Sequence, residues 1–225
     1  MKNIYCLLIV SFLCIFSLLP AGAQTLSEKD FQVLNMNDGL SDNDIHSVAK
    51  DTEGFMWFGT GSGLNRYDGR TFKVFRMPGI SYRRIDRVVS LDTDYLLLRS
   101  EQNLFLFDKK YERFLPVCDS VSKQPVMFAD FVADSDGSCW GVSSGELSEV
   151  NFPSSFVQDT AFVSVRHVVN NSQSDPFVVL CMGEDGKMLY CASRNGTVYR
   201  FTPGQRQLKK VCDGQLSSGR RSEEH

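Results

Sequence analysis

Beyond its first two dozen residues the chain has no apolar run long enough to cross a bilayer, no Cys-x-x-Cys pair, no excess of positive charge and only three histidines. Each absence removes a class of function. Without a later apolar run of about 20 residues, no membrane span is expected in the mature chain. A formal net charge of −3 and a pI near 5.6 supply no basic field for nucleic acid or an anionic membrane. The missing Cys-x-x-Cys spacing argues against a structural zinc site or a redox dithiol. His46, His167 and His225 lie far apart in the sequence. No cofactor and no metal are expected.

The N-terminal segment "MKNIYCLLIVSFLCIFSLLPAGAQ" is of another kind. One lysine precedes an apolar run from Ile4 to Leu19, followed by Pro20 and the small residues Ala21-Gly22-Ala23. This is the layout of a secretory signal peptide, with cleavage between Ala23 and Gln24 and a periplasmic mature chain. The competing reading, a membrane anchor, needs a longer span. Cys14 lacks the small residues that precede a lipidated cysteine. Export would remove two of the seven cysteines, leaving Cys118, Cys139, Cys181, Cys191 and Cys212. Most of these are expected as buried thiols. A turn at Glu184-Asp185 would set Cys181 opposite Met188 and Cys191 several residues out of register, so no bond between those two is expected.

What is present is a repeat. In "DTEGFMWFGTGSGLNRYDGRTFKVF", residues 51 to 75, turn residues punctuate short apolar runs. "IHSVAKD" reads as a strand ending at Thr52-Glu53-Gly54, where glycine can take a positive φ. "FMWFGT", "LNRYD" and "TFKVF" read as three more strands, separated by Gly61-Ser62-Gly63 and Asp68-Gly69. The second is apolar on both faces and needs cover on both sides. A lone meander of this kind cannot bury its faces, so copies are expected.

They recur at roughly forty to fifty residues, the period of propeller blades. Residues 133 to 152 repeat the pattern Asp-x-x-Gly-x-x-Trp, with Asp134, Gly137 and Trp140 standing for Asp51, Gly54 and Trp57. Gly145 to Leu147 stand for Gly63-Leu64. Residues 92 to 114 keep the apolar frame without the glycines: Leu97 replaces the tryptophan, Leu104 replaces Leu64, and Phe107-Asp108 replace Tyr67-Asp68. Residues 183 to 201 carry Gly186 at the first turn and Asn195-Gly196 at the second. Trp57, Leu97, Trp140 and Leu189 or a neighbour are expected to wedge between sheets, which makes the tryptophans core residues rather than sugar platforms. Asp134-x-Asp136-Gly137 lacks the further ligands of a calcium loop and reads as a turn.

The stretch from Asn37 to Phe75 resembles the first repeat of the periplasmic propeller of hybrid two-component sensors, the single-chain histidine-kinase regulators of polysaccharide use. The resemblance rests on Gly39, Leu40, Ser41, Asn43, Asp51, Gly54, Trp57, Phe58, Gly59, Thr60, Gly63, Leu64, Asn65, Arg66, Tyr67, Asp68 and Gly69. It implies an all-β, propeller-type array of four-stranded antiparallel blades, about four in number over residues 24–212, forming an incomplete ring before a polar tail at 213–225. By the same resemblance, "FQVLNM" (31–36) would complete the last blade of a closed ring, and would otherwise lie exposed or pair locally.

No residues resemble a phosphoacceptor helix or an ATP lid, so a kinase core is not expected within these residues. The chain reads as a truncated product, a fragment or the first part of a split sensor. Its expected partners are an oligosaccharide and either the remainder of a sensor or another copy of itself, with no nucleic acid. Two alternatives stand beside this: a freestanding exported propeller that binds or cleaves glycans, and an inactive truncated product. Cleavage needs a pair of acid and base groups, whereas Arg83-Arg84 and Asp108-Lys109-Lys110 read as solvated loop. No ligand-binding residue is assigned.

Overall fold

The computed structural model describes residues 32–79, 84–91, 94–133, 139–153, 156, 159–170, 175–183 and 187–213. The signal-peptide segment, Asp134, Gly137, Gly186 and most of the polar tail therefore lie outside the described residues. Two units are distinguished, Met1–Leu34 and Asn35–His225. In the first, Gln32 to Leu34 form no strand, and Val33 is exposed. Everything that follows concerns the second.

The second unit is all-β, with sixteen named strands among the described residues. The opening meander consists of β1 (Ile45–Lys50), β2 (Met56–Thr60), β3 (Gly63–Tyr67) and β4 (Phe72–Phe75), paired antiparallel in chain order. β5 (Arg87–Ser90), β6 (Tyr95–Ser100), β7 (Asn103–Asp108) and β8 (Arg113–Asp119) form a second. A third comprises β9 (Asp130–Ala133), β10 (Cys139–Ser143), β11 (Glu146–Asn151) and β12 (Ala161–Asn170). The last contains β13 (Phe177–Met182), β14 (Leu189–Ser193), β15 (Val198–Thr202) and β16 (Gln207–Cys212).

These sixteen strands do not make the separate, purely antiparallel sheets expected from the repeat. The second and third meanders are one eight-stranded sheet, ordered β5-β6-β7-β8-β12-β11-β10-β9. The join is a parallel pairing of Ala161, Phe162 and Val163 with Val117, Cys118 and Asp119. β12 is ten residues long, so its first residues run past β11 and lie against β8. The amide of Ser120 donating to the Val163 carbonyl (2.7 Å) continues the seam.

Alternation along each strand directs successive side chains to opposite neighbours, and three apolar cores result. Trp57, Leu64 and Phe75 of the first meander pack on Ile85, Val88, Leu96, Leu98 and Phe107 of the second. Leu97, Leu104 and Leu106 face the third, against Phe131, Cys139 and Val150. Trp140, Val142 and Leu147 face the fourth, against Phe177, Leu180, Leu189, Cys191 and Phe201. The tryptophans behave alike: Trp57 meets the ring of Phe107 at 5.6 Å and Trp140 meets Phe201 at 5.5 Å. Leu97 points the same way with a smaller side chain. Leu189, however, faces back toward the third meander, and its half-buried neighbour Tyr190 points forward.

The expectation that β2 would be covered on both faces is met on one. Phe58, Tyr67 and Phe72 form a half-buried aromatic cluster on the far face, with centroid separations of 5.8 Å and 4.6 Å. Ile45 and Val48 are exposed. The cysteine register also differs from expectation. Cys181 lies opposite Tyr190 and Cys191 opposite Leu180, because the pairing continues to Met182 and Leu189. The two thiols therefore point to opposite faces, and all five described cysteines are free. Only Cys139 and Cys191 are fully buried.

Trp57 is 1% exposed between two sheets. Trp57→Ala is expected to lower stability by about 3–5 kcal/mol through the cavity it leaves. Urea unfolding of the two proteins measures the difference, and unchanged midpoints would contradict the wedge role.

Candidate functional site

The signature residues of the opening repeat form a set of turn locks rather than a ligand cleft. The Asp51 carboxylate accepts the amides of Glu53 and Phe55 through Oδ1, both at 3.0 Å. Its Oδ2 accepts the Trp57 indole N–H at 2.8 Å. Gly54, at φ 94°, supplies the left-handed residue that brings the chain back. The spacing Asp-x-x-Gly-x-x-Trp is thus the spacing of a turn whose first residue grips its last. Lys109 Nζ approaches the same Oδ2 at 3.6 Å, with both side chains almost fully buried. Asp108 is 3% exposed, so the solvated-loop reading of Asp108-Lys109 is wrong. The cause is the neighbouring meander, which covers a charge run that sequence shows as hydrophilic.

The rest of the signature follows suit. Gly59 lies where an added Cβ would stand 2.6 Å from the Ile85 carbonyl oxygen, so its lack of a side chain lets the second meander approach. Asn65, fully buried, donates to Ser41 Oγ and accepts from the Ser41 amide, tying the Gly39-Leu40-Ser41 segment to the β2–β3 hairpin. Gly63 borders that hairpin at φ 135°, and Leu64 is fully buried. Tyr67 packs on Phe72, Asp68 accepts the amides of Arg70 and Thr71, and Gly69 turns at φ 94°. Asp108 repeats this lock on Lys110 and Tyr111. Trp140 is buried, whereas its partners Asp134 and Gly137 fall outside the described residues.

Two polar arrangements were not legible beforehand. The first joins the leading strands of successive meanders. Ser47 Oγ on β1 accepts the Val88 amide of β5 at 3.0 Å, and Arg87 Nη1 on β5 reaches Asp130 Oδ1 on β9 at 3.0 Å. Asp130 Oδ2 then accepts the Leu180 amide of β13 at 2.9 Å. Three links thus connect four strands that do not pair with one another. Asp130 is 8% exposed, and its burial is made tolerable by these partners.

The second is a cavity of about 380 Å³ beside the seam. Its walls are the β8–β9 connection, the β10–β11 turn, and Ser148, Val165 and His167. The connection is held by backbone bonds: the amides of Val126, Phe128 and Ala129 donate to Val117, Gln102 and Val142. Phe128 lies on Gly141, where an added Cβ would meet its ring at 2.2 Å. At the cavity, His167 Nδ1 is 3.0 Å from both Ser148 Oγ and Glu146 Oε2. A nucleophile relay uses the two ring nitrogens separately, one for the hydroxyl and one for the acid. Here one nitrogen meets both, which is not the geometry of such a relay.

Among the described residues no three His, Cys, Asp or Glu side chains gather to hold a metal. Burial pushes the Cys139 and Cys191 thiols up to about 12, with Cys181 adding to the effect on Cys191, which keeps both protonated and unreactive. No helix in the described residues is long and apolar enough to cross a membrane.

Residues 39–62 match the two component regulator propeller model. Over 78 residues the chain is 37% identical to histidine kinase P4 of Formosa agariphila, an alignment covering 34% of this chain and 5% of that protein. The extracellular domain of a B. thetaiotaomicron protein described as a hybrid two component system superposes with a TM-score of 0.58 at 16% identity, covering 80% of this chain and 26% of that one. A second B. thetaiotaomicron extracellular domain, described as from a one component system, gives 0.57 at 17% identity over 80% and 27%. A catalytically inactive virginiamycin B lyase from Staphylococcus aureus, with quinupristin, gives 0.56 at 11% identity over 84% and 61%. These three share the fold. The chain spans about a twentieth of the kinase and about a quarter of each extracellular domain. The resemblance read in Asn37 to Phe75 is borne out by the family match over residues 39–62 and by the identity to the histidine kinase.

Burial acts to raise the Asp51 carboxyl, but the Trp57 indole, Lys109 and the amides of Phe55 and Glu53 together outweigh it and hold the group below the usual carboxylate range. A depressed folded value gives stability that is present above the unfolded value, about 3.9, and lost as pH falls through the folded one. Asp51→Asn is therefore expected to destabilise the protein at neutral pH, with the gap to wild type narrowing below about pH 4. Urea titrations followed by tryptophan emission across that range test this. A gap independent of pH would refute the charged role of Asp51.

Proposed function

We propose that the chain is an extracytoplasmic ligand-recognition module, the N-terminal portion of a hybrid two-component sensor histidine kinase that regulates polysaccharide use. The match of residues 39–62 to the two component regulator propeller repeat carries this reading. The identity to a histidine kinase and the fold shared with two extracellular domains support it. On this reading the four meanders are blades of an incomplete ring, exported after cleavage at Ala23/Gln24. Kinase chemistry belongs to the rest of such a sensor and is not assigned to these residues.

The end meanders fit a module that works with more sheet than it holds. Val48 on the first and Val179 and Val211 on the last are each about half exposed. The remainder of a sensor, or another copy of this chain, would cover them. Signalling then follows from binding: a ligand shifts a two-state equilibrium only by its differential affinity for the two states.

Thermal melting of the purified chain against oligosaccharides released from several polysaccharides tests recognition. A saturable rise in Tm with one family of oligosaccharides is expected. A folded chain whose melting no oligosaccharide moves would overturn the reading, as would the lack of kinase-coding sequence both in frame and in the neighbouring genes. N-terminal sequencing of the exported protein is expected to begin at Gln24.

A further inference from the structure

The seam cavity has a chemical bias that the sensory reading does not specify. Among the described residues no lysine or arginine lines it, while Asp119 and Glu146 do. Lys123, beside two lining residues, turns its ammonium onto the Phe162 ring at 4.6 Å instead. The backbone amide of Ser122 and its hydroxyl, outweighing burial and helped by the Val165 and Val121 amides, hold the Asp119 carboxyl below the usual range, so it is charged at neutral pH. Glu146 meets His167 through Oε2, which leaves Oε1 for another donor.

The neutral polar groups point the same way. His167 Nδ1 ties Glu146 Oε2 and Ser148 Oγ together on the same wall, 3.0 Å from each. The wall is therefore rich in acceptors and bears negative charge. Ser143, Ser144 and Gln124 add groups that both donate and accept. The floor is apolar, from Val126, Phe128 and Val165, and the volume falls in the range of small-molecule sites, about 300–1,000 Å³. An anion would meet like charge here. A compact group with several donors and no acceptor, an ammonium, complements the wall.

We propose that this cavity binds a small hydroxylated ligand bearing a primary ammonium group, of the amino-sugar class, with the ammonium against Glu146 and Asp119 and the hydroxyls against Ser143, Ser144 and Gln124. The biological use of such a site rests on the sensory reading, whereas the binding itself does not.

Matched probes isolate the charge. Calorimetric titration of the purified chain with D-glucosamine, D-glucose and D-glucuronate is expected to show saturable binding of the first, at least about tenfold weaker binding of the second, and none of the third. Glu146→Gln and Asp119→Asn, each first shown to melt as wild type, are expected to weaken glucosamine binding about tenfold, and added salt to weaken it further. Asp119 is tied to backbone amides, so if Asp119→Asn disturbs folding, Glu146→Gln and the salt series decide. The proposal fails if glucosamine does not bind, if glucose binds as well, or if Glu146→Gln leaves the affinity unchanged. If it fails while oligosaccharides still raise the Tm, recognition lies elsewhere and the sensory reading stands. Loss of both removes both.

Discussion

Burial of one sheet face against the next governs this molecule. A four-stranded meander has two faces and no interior, and strands this apolar cannot leave both in water. Each of the three cores is accordingly built from two meanders, never one. The turn locks, the missing side chain at Gly59 and the forward-pointing tryptophans all serve that contact. Asp51 fixes the turn that aims Trp57, Gly59 lets Ile85 come close, and Trp57 fills the space so defined. Removing any one of them alters the others' surroundings.

That dependence explains what could be read in advance. Turn chemistry and apolar periodicity are local, so the four strands of residues 45 to 75 and the repeat of Trp57 in Leu97 and Trp140 were visible in the letters. The strongest match, residues 39–62, is also where local locks are densest. Interactions between meanders were not visible. Nothing near Lys109 announces that Asp51 will bury it, and nothing in "FADFVAD" separates Asp130, which reaches two neighbouring strands, from an ordinary turn aspartate. The parallel seam depends on the length of β12 and not on its composition. Leu189 is buried between sheets as expected, but on the face toward the third meander, because alternation fixes only that neighbours face apart and the packing partner decides which way each one faces.

The candidate site was hidden for the same reason. Glu146, Ser148 and His167 come from adjacent strands, and Asp119 and Gln124 from the end of β8 and the connection after it, more than twenty residues earlier in the chain. The cavity exists because β12 parts from β8 after Val163 and turns to pair with β11. In the sequence His167 is one of three isolated histidines, and no spacing rule joins it to Asp119.

The seam has a mechanical consequence. Meanders that meet only through side chains can shear by repacking, but two that share backbone hydrogen bonds cannot slide without breaking them. The second and third meanders, packed on a shared core and joined by three parallel-paired residues, are therefore tied more closely than the first and second, where the Ile85 amide donates to the Thr60 carbonyl at 2.9 Å and packing supplies the rest.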